Sequence, residues 1–141
     1  MRQLKNNRQL VLMLLVLVIA LTGCGGQSAP AEVQPVANLA VNLDIETVNE
    51  LYQRDDVFIL DVREDFEYDA GHIPTAELVP LGTIPTNLDA IPRDKTVIAV
   101  CRSGNRSNQA TQFLREQGFD NVHNMLGGMN NWQQAGYEVA Q

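Results

Sequence analysis

The segment Cys101-Arg102-Ser103-Gly104-Asn105-Arg106-Ser107 sets one thiol between a buried-looking apolar run and a helical pattern, with two guanidinium groups close by. A thiolate, not a thiol, is the sulfur nucleophile, and nearby arginine or a helix N-terminus favours ionisation. Unpaired N–H groups and the helix dipole make a helix start a positive pocket. Gly104 and Asn105 tolerate left-handed backbone angles, so a tight loop there can turn its amides inward as an anion nest. The chemistry that follows is nucleophilic catalysis through sulfur at Cys101, at the head of the loop Arg102, Ser103, Gly104, Asn105 and Arg106.

The elements that must position this loop can be read on either side of it. Thr96-Val97-Ile98-Ala99-Val100 is a short apolar run suited to a buried strand, and Val57-Phe58-Ile59-Leu60-Asp61 has the same form. Ser107 to Gln117 puts Ala110, Phe113 and Leu114 on one helical face, with Gly118 at the C-cap. Asp44 is an N-cap for a helix carrying Ile45, Val48, Leu51 and Tyr52. A further short strand is expected at about Asn121 to Met125, then a tight turn at Gly127-Gly128 and a helix around Met129 to Ala135. Strands alternating with helices predict an α/β domain, its central, mainly parallel sheet flanked by helices. The proline-punctuated stretch Glu77 to Asp94 is left without an assigned element, and there is no internal repeat.

The N-terminus has a separate logic. Arg2, Lys5 and Arg8 precede the unbroken apolar run Leu10 to Leu21, which is signal-peptide anatomy and too short for a good membrane span. Leu21-Thr22-Gly23-Cys24 resembles the lipobox of bacterial lipoproteins. That resemblance implies a lipid on Cys24, cleavage before it, and a place on the extracytoplasmic side of a bacterial membrane, the outer one where two exist. The expected organisation is a signal peptide at 1–23, a lipidated N-terminus and flexible linker at 24–42, and the folded domain at 43–141. Without the leader, seven Lys and Arg stand against seventeen Asp and Glu. A field that acidic repels phosphate backbones, so no nucleic-acid partner is expected. With two cysteines and two histidines in the chain, no metal site is expected either.

The active loop Cys101 to Ser107 resembles that of the rhodanese family. Asp61-Val62-Arg63-Glu64, the run Glu67-Tyr68-Asp69-Ala70-Gly71-His72-Ile73-Pro74, and Leu126-Gly127-Gly128-Met129 with Trp132 match family motifs in order. Cysteine phosphatases place an arginine after five intervening residues, where this chain has Ser107; Arg106 closes the shorter loop of sulfurtransferases. Thr75, where the family usually has glycine, and Val100, where an aromatic often stands, depart from the pattern. The resemblance implies a rhodanese-like domain without a cofactor. It also implies ping-pong transfer of sulfane sulfur from a donor such as thiosulfate, through a Cys101 persulfide, to a thiol or cyanide, with Arg102 and Arg106 orienting an anionic donor. A dedicated sulfur carrier or persulfide-sensing module is the alternative it leaves open. Asp61, Arg63 and His72 read as structural supports of the surrounding loops. His123 has no assigned role, and Asp65, Glu67 and Asp69 read as a solvated acidic face.

Overall fold

The computed structural model describes Val36 and residues 38–141. Signal peptide, lipidation site and most of the linker therefore lie outside the described residues. Strand β1 (Asn42–Leu43) leads into helix α1 (Ile45–Leu51), whose start is fixed by Asp44 Oδ1 accepting from the Thr47 amide at 2.8 Å. Next come β2 (Val57–Asp61), the short helix α2 (Asp65–Asp69) and β3 (Ala76–Leu78). Two 3-10 turns (Leu81–Thr86, Leu88–Ala90) precede β4 (Thr96–Val100), α3 (Asn105–Glu116), β5 (Val122–Met125) and α4 (Gly128–Gln134).

All five strands are parallel, in the order β1-β5-β4-β2-β3. Both faces are covered, which explains why β2 and β4 are apolar throughout rather than alternating. Val57, Ile59, Ile98 and Val100 point to one face, packed by Val48 of α1 and by Met129 and the fully buried Trp132 of α4. Leu60, Val62, Val97 and Cys101 point to the other, beneath Ala110 and Leu114 of α3 and Ile84 of the first 3-10 turn. Cys101 thus begins as a core residue on the α3 side.

The register determines where the site lies. Asp61 pairs with both Val100 and Leu78, so β2, β3 and β4 end together. From β2 the chain runs to β3 on one side of the sheet, while β4 and β5 lie on the other. The loops after β2 and β4 therefore diverge, and a crevice opens between them at the C-terminal ends of the strands. Cys101 is the first residue of the loop after β4.

Besides the two 3-10 turns, two strands and a helix were not expected. β1 pairs with β5, the Val41 carbonyl accepts from Asn124 N–H at 2.7 Å, and Leu39 packs on the core, so the end of the expected linker is docked on the domain. A two-residue strand has too few side chains to show a period. The one-turn α2 is held by a capping box between Glu64 and Glu67, and β3 is three residues long.

Candidate active site

Gly104 makes the turn. Its φ of +94° is a conformation that favours glycine, and its amide donates to Cys101 Sγ at 3.1 Å. One turn into α3, Ser107 Oγ lies 3.4 Å from the same sulfur. Cys101 is 1% exposed, so burial pushes its thiol up. The Ser107 hydroxyl, with the amides of Ser107, Ser103 and Gly104, outweighs that penalty and holds the thiol below its ordinary value. This is the inward-facing nest that the loop sequence predicts, with sulfur as the anion.

The carbonyl side of the loop is fixed by α4. Cys101 C=O accepts from Met129 N–H at 2.8 Å and Arg102 C=O from Asn130 N–H at 3.0 Å, which satisfies two amides of that helix's first turn. So close an approach requires a residue without a side chain. A Cβ on Gly128 would stand 2.2 Å from the Cys101 carbonyl oxygen and 2.7 Å from the Ser103 nitrogen. Gly127-Gly128 is a turn, as expected, and it is also the seat of the active loop.

The two arginines have different fates. Arg106 gives Nη1 to Glu67 Oε2 and Nη2 to Glu67 Oε1, both at 2.7 Å, a bidentate pair between α3 and α2. The Arg106 guanidinium holds the Glu67 carboxyl down at about 2. Glu67 is accordingly no part of a solvated face, and Arg106 is paired with it while still lining the neighbouring cleft. Arg102 is exposed and makes no ion pair among the described residues. It lines two adjoining clefts. One, about 560 Å³, lies between Phe66 and Glu67 of α2 and the loop residues Arg102, Ser103, Asn105 and Arg106. The other, about 260 Å³, reaches from Phe66 and Arg102 to Met129 and Gln133. Phe66, 72% exposed, stands between them.

Asp61 and Arg63 form a buried pair at the end of β2, with Arg63 Nη2 donating to Asp61 Oδ2 at 2.6 Å and to the Gly71 carbonyl at 2.9 Å. His72 stacks on Tyr68 with ring centroids 3.7 Å apart, and its backbone pairs with Ala140. These are supports for the loops around the crevice, as read from the sequence. His123, given no role, has Nδ1 2.8 Å from the Ala40 carbonyl and helps dock the chain before β1. Sequence reasoning missed Ser107, Asn124, Glu67, Phe66 and Gly128 as contributors to the site. For Ser107 a signal existed, because a hydroxyl in the first turn after a nucleophile loop faces back towards it. For the others only the fold brings them near.

A family model described as a rhodanese-like domain matches residues 44–135. A sulfurtransferase of Allochromatium vinosum is 37% identical over 98 residues, covering 69% of this chain and 92% of that protein. A thiosulfate sulfurtransferase of Pseudoalteromonas translucida is 36% identical over 94 residues, covering 67% and 90%. Among solved structures, a rhodanese-related protein from Thermoplasma volcanium superposes with a TM-score of 0.66 at 30% identity, covering 72% of this chain and 98% of that one.

Proposed function

The chain belongs to the rhodanese-like family, and on that premise we propose that it moves sulfane sulfur through a persulfide on Cys101. The observation that carries the reading is the Gly104 amide directed at the sulfur, with the Ser107 hydroxyl within reach of it, in a loop that keeps the thiol easy to ionise. In the first half-reaction the Cys101 thiolate attacks the outer sulfur of thiosulfate. A sulfur–sulfur bond to Cys101 forms, the donor's own sulfur–sulfur bond breaks, and sulfite leaves with the electron pair. In the second, a thiolate or cyanide takes the outer sulfur and Cys101 leaves as thiolate.

The protein's part is positional and electrostatic. Inward amides stabilise the thiolate and the terminal persulfide sulfur, and no further base is needed. Arg102, exposed at the mouth of both clefts, is the cation that meets an anionic donor. Arg106 acts at one remove, by holding α2 against the loop. A thiosulfate donor is supported by the activity named for the Pseudoalteromonas relative.

The purified protein is incubated with thiosulfate, and the peptide containing Cys101 is weighed before and after cyanide. One added sulfur atom, discharged as thiocyanate and absent from Cys101→Ser, is expected; no added sulfur sinks the reading. Loading without discharge to small acceptors would instead identify a dedicated carrier.

The same reading places the domain on the extracytoplasmic side of a bacterial membrane, the outer one where two exist, held by lipid on Cys24. Its support is the charged start, the apolar run and the Leu21-Thr22-Gly23-Cys24 motif. Cys24→Ala should release the protein from membranes or leave an uncleaved precursor; normal processing with membrane attachment refutes the anchor. A lipidated Cys24 leaves Cys101 as the sole free thiol of the mature chain, so its persulfide must discharge to an outside acceptor.

A further inference from the structure

Ser107 has one hydroxyl proton and two acceptors. Its Oγ lies 2.7 Å from Asn124 Oδ1 and 3.4 Å from Cys101 Sγ. Asn124, on β5 and 2% exposed, in turn gives its Nδ2 to Asn42 Oδ1 at 2.9 Å. Asn42 and Asn124 are register partners in adjacent parallel strands, and Asn42 is exposed at the sheet edge. A row of three polar groups thus runs from the sulfur, under the loop, to solvent.

Along this row the shorter bonds run away from the sulfur, Asn124 giving to Asn42 and Ser107 to Asn124, while the Gly104 amide stays directed at the sulfur throughout. When Cys101 ionises, the thiolate becomes the stronger acceptor, because hydrogen bonds to charged groups are shorter and stronger. If Ser107 alone turned to it, Asn124 Oδ1 would be left buried without a donor, at a cost of about 1–3 kcal/mol. The two amides offer a route without that cost. Rotating each by half a turn exchanges its oxygen and nitrogen without moving the row. Asn42 Nδ2 then donates to Asn124 Oδ1, Asn124 Nδ2 to Ser107 Oγ, and Ser107 to Cys101 Sγ. Three bonds replace two within the row and its sulfur, no proton changes owner, and the exposed end exchanges its partner with water.

We propose that Asn124 and Asn42 are positioning residues of the sulfur-transfer site, forming with Ser107 a hydrogen-bond chain that reverses polarity as Cys101 gains and loses thiolate charge. This rests on Cys101 acting as the sulfur carrier, and it assigns a task to the strand at the sheet edge. The charged groups around the sulfur are few. Arg106 of α3 interacts with it electrostatically but is closed onto Glu67 of α2, with Glu64 nearby, and Asp61 and Arg63 at the end of β2 are paired with each other. Arg102 is in the loop itself. β5 and the first turn of α4 bring one titratable group, His123, whose Nδ1 lies against the Ala40 carbonyl, beside the uncharged Asn124, Met125, Met129 and Asn130.

The test is the pH dependence of Cys101 alkylation in the full chain, read on the Cys101 peptide by mass spectrometry so that Cys24 does not interfere. Asn42→Asp can only accept, which locks the row away from the sulfur. Asn42→Lys can only donate, which locks it towards the sulfur. The aspartate variant is expected to raise the alkylation midpoint by about half a unit to one unit, the worth of one redirected hydrogen bond, and the lysine variant to lower it. In a Ser107→Ala background both shifts vanish, because the link to the sulfur is gone. Shifts that persist undiminished there belong to the field of the added charge and overturn the proposal, as does the absence of shifts in both variants. Position 42 is exposed, and either variant alone decides the matter. If Cys101 takes no sulfur from thiosulfate, the transfer reading falls while this titration is still read in full; normal transfer with no coupling through Ser107 removes the chain alone.

Discussion

The loop after β4 leans on α4 through backbone groups, whereas α2 grips the same loop from the opposite side through the Glu67 and Arg106 side chains. On the α4 side, Cys101 and Arg102 carbonyls meet helix amides over a glycine that leaves no space for a methyl group. Such contacts do not titrate and are not screened by salt. On the α2 side the bond is ionic and depends on a carboxylate staying charged. The wall that aims the nucleophile is therefore insensitive to pH and salt, and the wall that meets substrate can loosen. Catalytic loops need that division, because misplacement by an ångström at the sulfur costs far more than misplacement at the rim.

Breaking the rigid side should have the largest effect. Gly128→Ala sets a methyl group against the Cys101 carbonyl oxygen at a residue with φ +57°, combining overpacking with backbone strain. A loss of about 2–4 kcal/mol in denaturant unfolding is expected, together with loss of most sulfur transfer at pH 7. An unchanged Gly128→Ala protein would show that α4 does not fix the loop. Ser107→Ala comes next. Removing the hydroxyl lets burial dominate, so the Cys101 alkylation midpoint should rise by about one unit and transfer at neutral pH should fall about tenfold, with a stability loss of about 1–3 kcal/mol from the Asn124 oxygen left without its donor.

This contrast also separates what the sequence discloses from what it conceals. The nucleophile, its loop and the strand and helix around it are legible because they are contiguous: Val100, Cys101, Gly104 and Ala110 announce strand, nest and helix by local rules. Asp61 and Arg63 are legible for the same reason, two residues apart at one strand end. Glu67 and Arg106 are 39 residues apart, and nothing local links them, so an acid that anchors the site looks like one more surface charge and a clamped arginine looks like a free one. Gly128 reads as a turn because the sequence does not show what packs against it. β1, β3 and α2 are too short for periodicity; β1 and β3 exist because neighbouring strands supply their hydrogen bonds, and α2 because Glu64 and Glu67 cap it. Ala40 to Asn42 read as tether because their partners, His123 and Asn124, lie far along the chain.

The ionic wall can be loosened with acid. Glu67 is held at about 2 in the folded protein against 4.5 for the free carboxyl, so its contribution to stability is fully present above about pH 4.5 and is lost as pH falls towards 2. Glu67→Gln should cost about 1 kcal/mol at pH 7, kept small by the partial exposure of both partners. The gap between variant and wild type should close as the pH is lowered from 5 to 3 in urea titrations. A gap that stays constant would mean that shape, not charge, holds α2. In the same variant Arg106 is freed beside Arg102, so KM for thiosulfate should change more than kcat.

The smallest effect on stability sharpens the comparison most. Phe66 is exposed on the loosely held wall, touches both clefts and supports no core cluster, so Phe66→Ala should shift stability by no more than about 0.5 kcal/mol. A large apolar side chain kept at a cleft mouth at so little structural benefit has its value in what it touches. Thiosulfate and cyanide are small and hydrophilic and gain nothing from an aromatic face. An acceptor thiol carrying an apolar or aromatic group does, by burial against the ring. Competition between cyanide and thiols of increasing apolar size, measured in wild type and Phe66→Ala, should therefore show loss of preference for the larger thiols and unchanged turnover with cyanide. Equal losses for every acceptor would place Phe66 with the residues that aim the nucleophile, and would move α2 to the rigid side of the site.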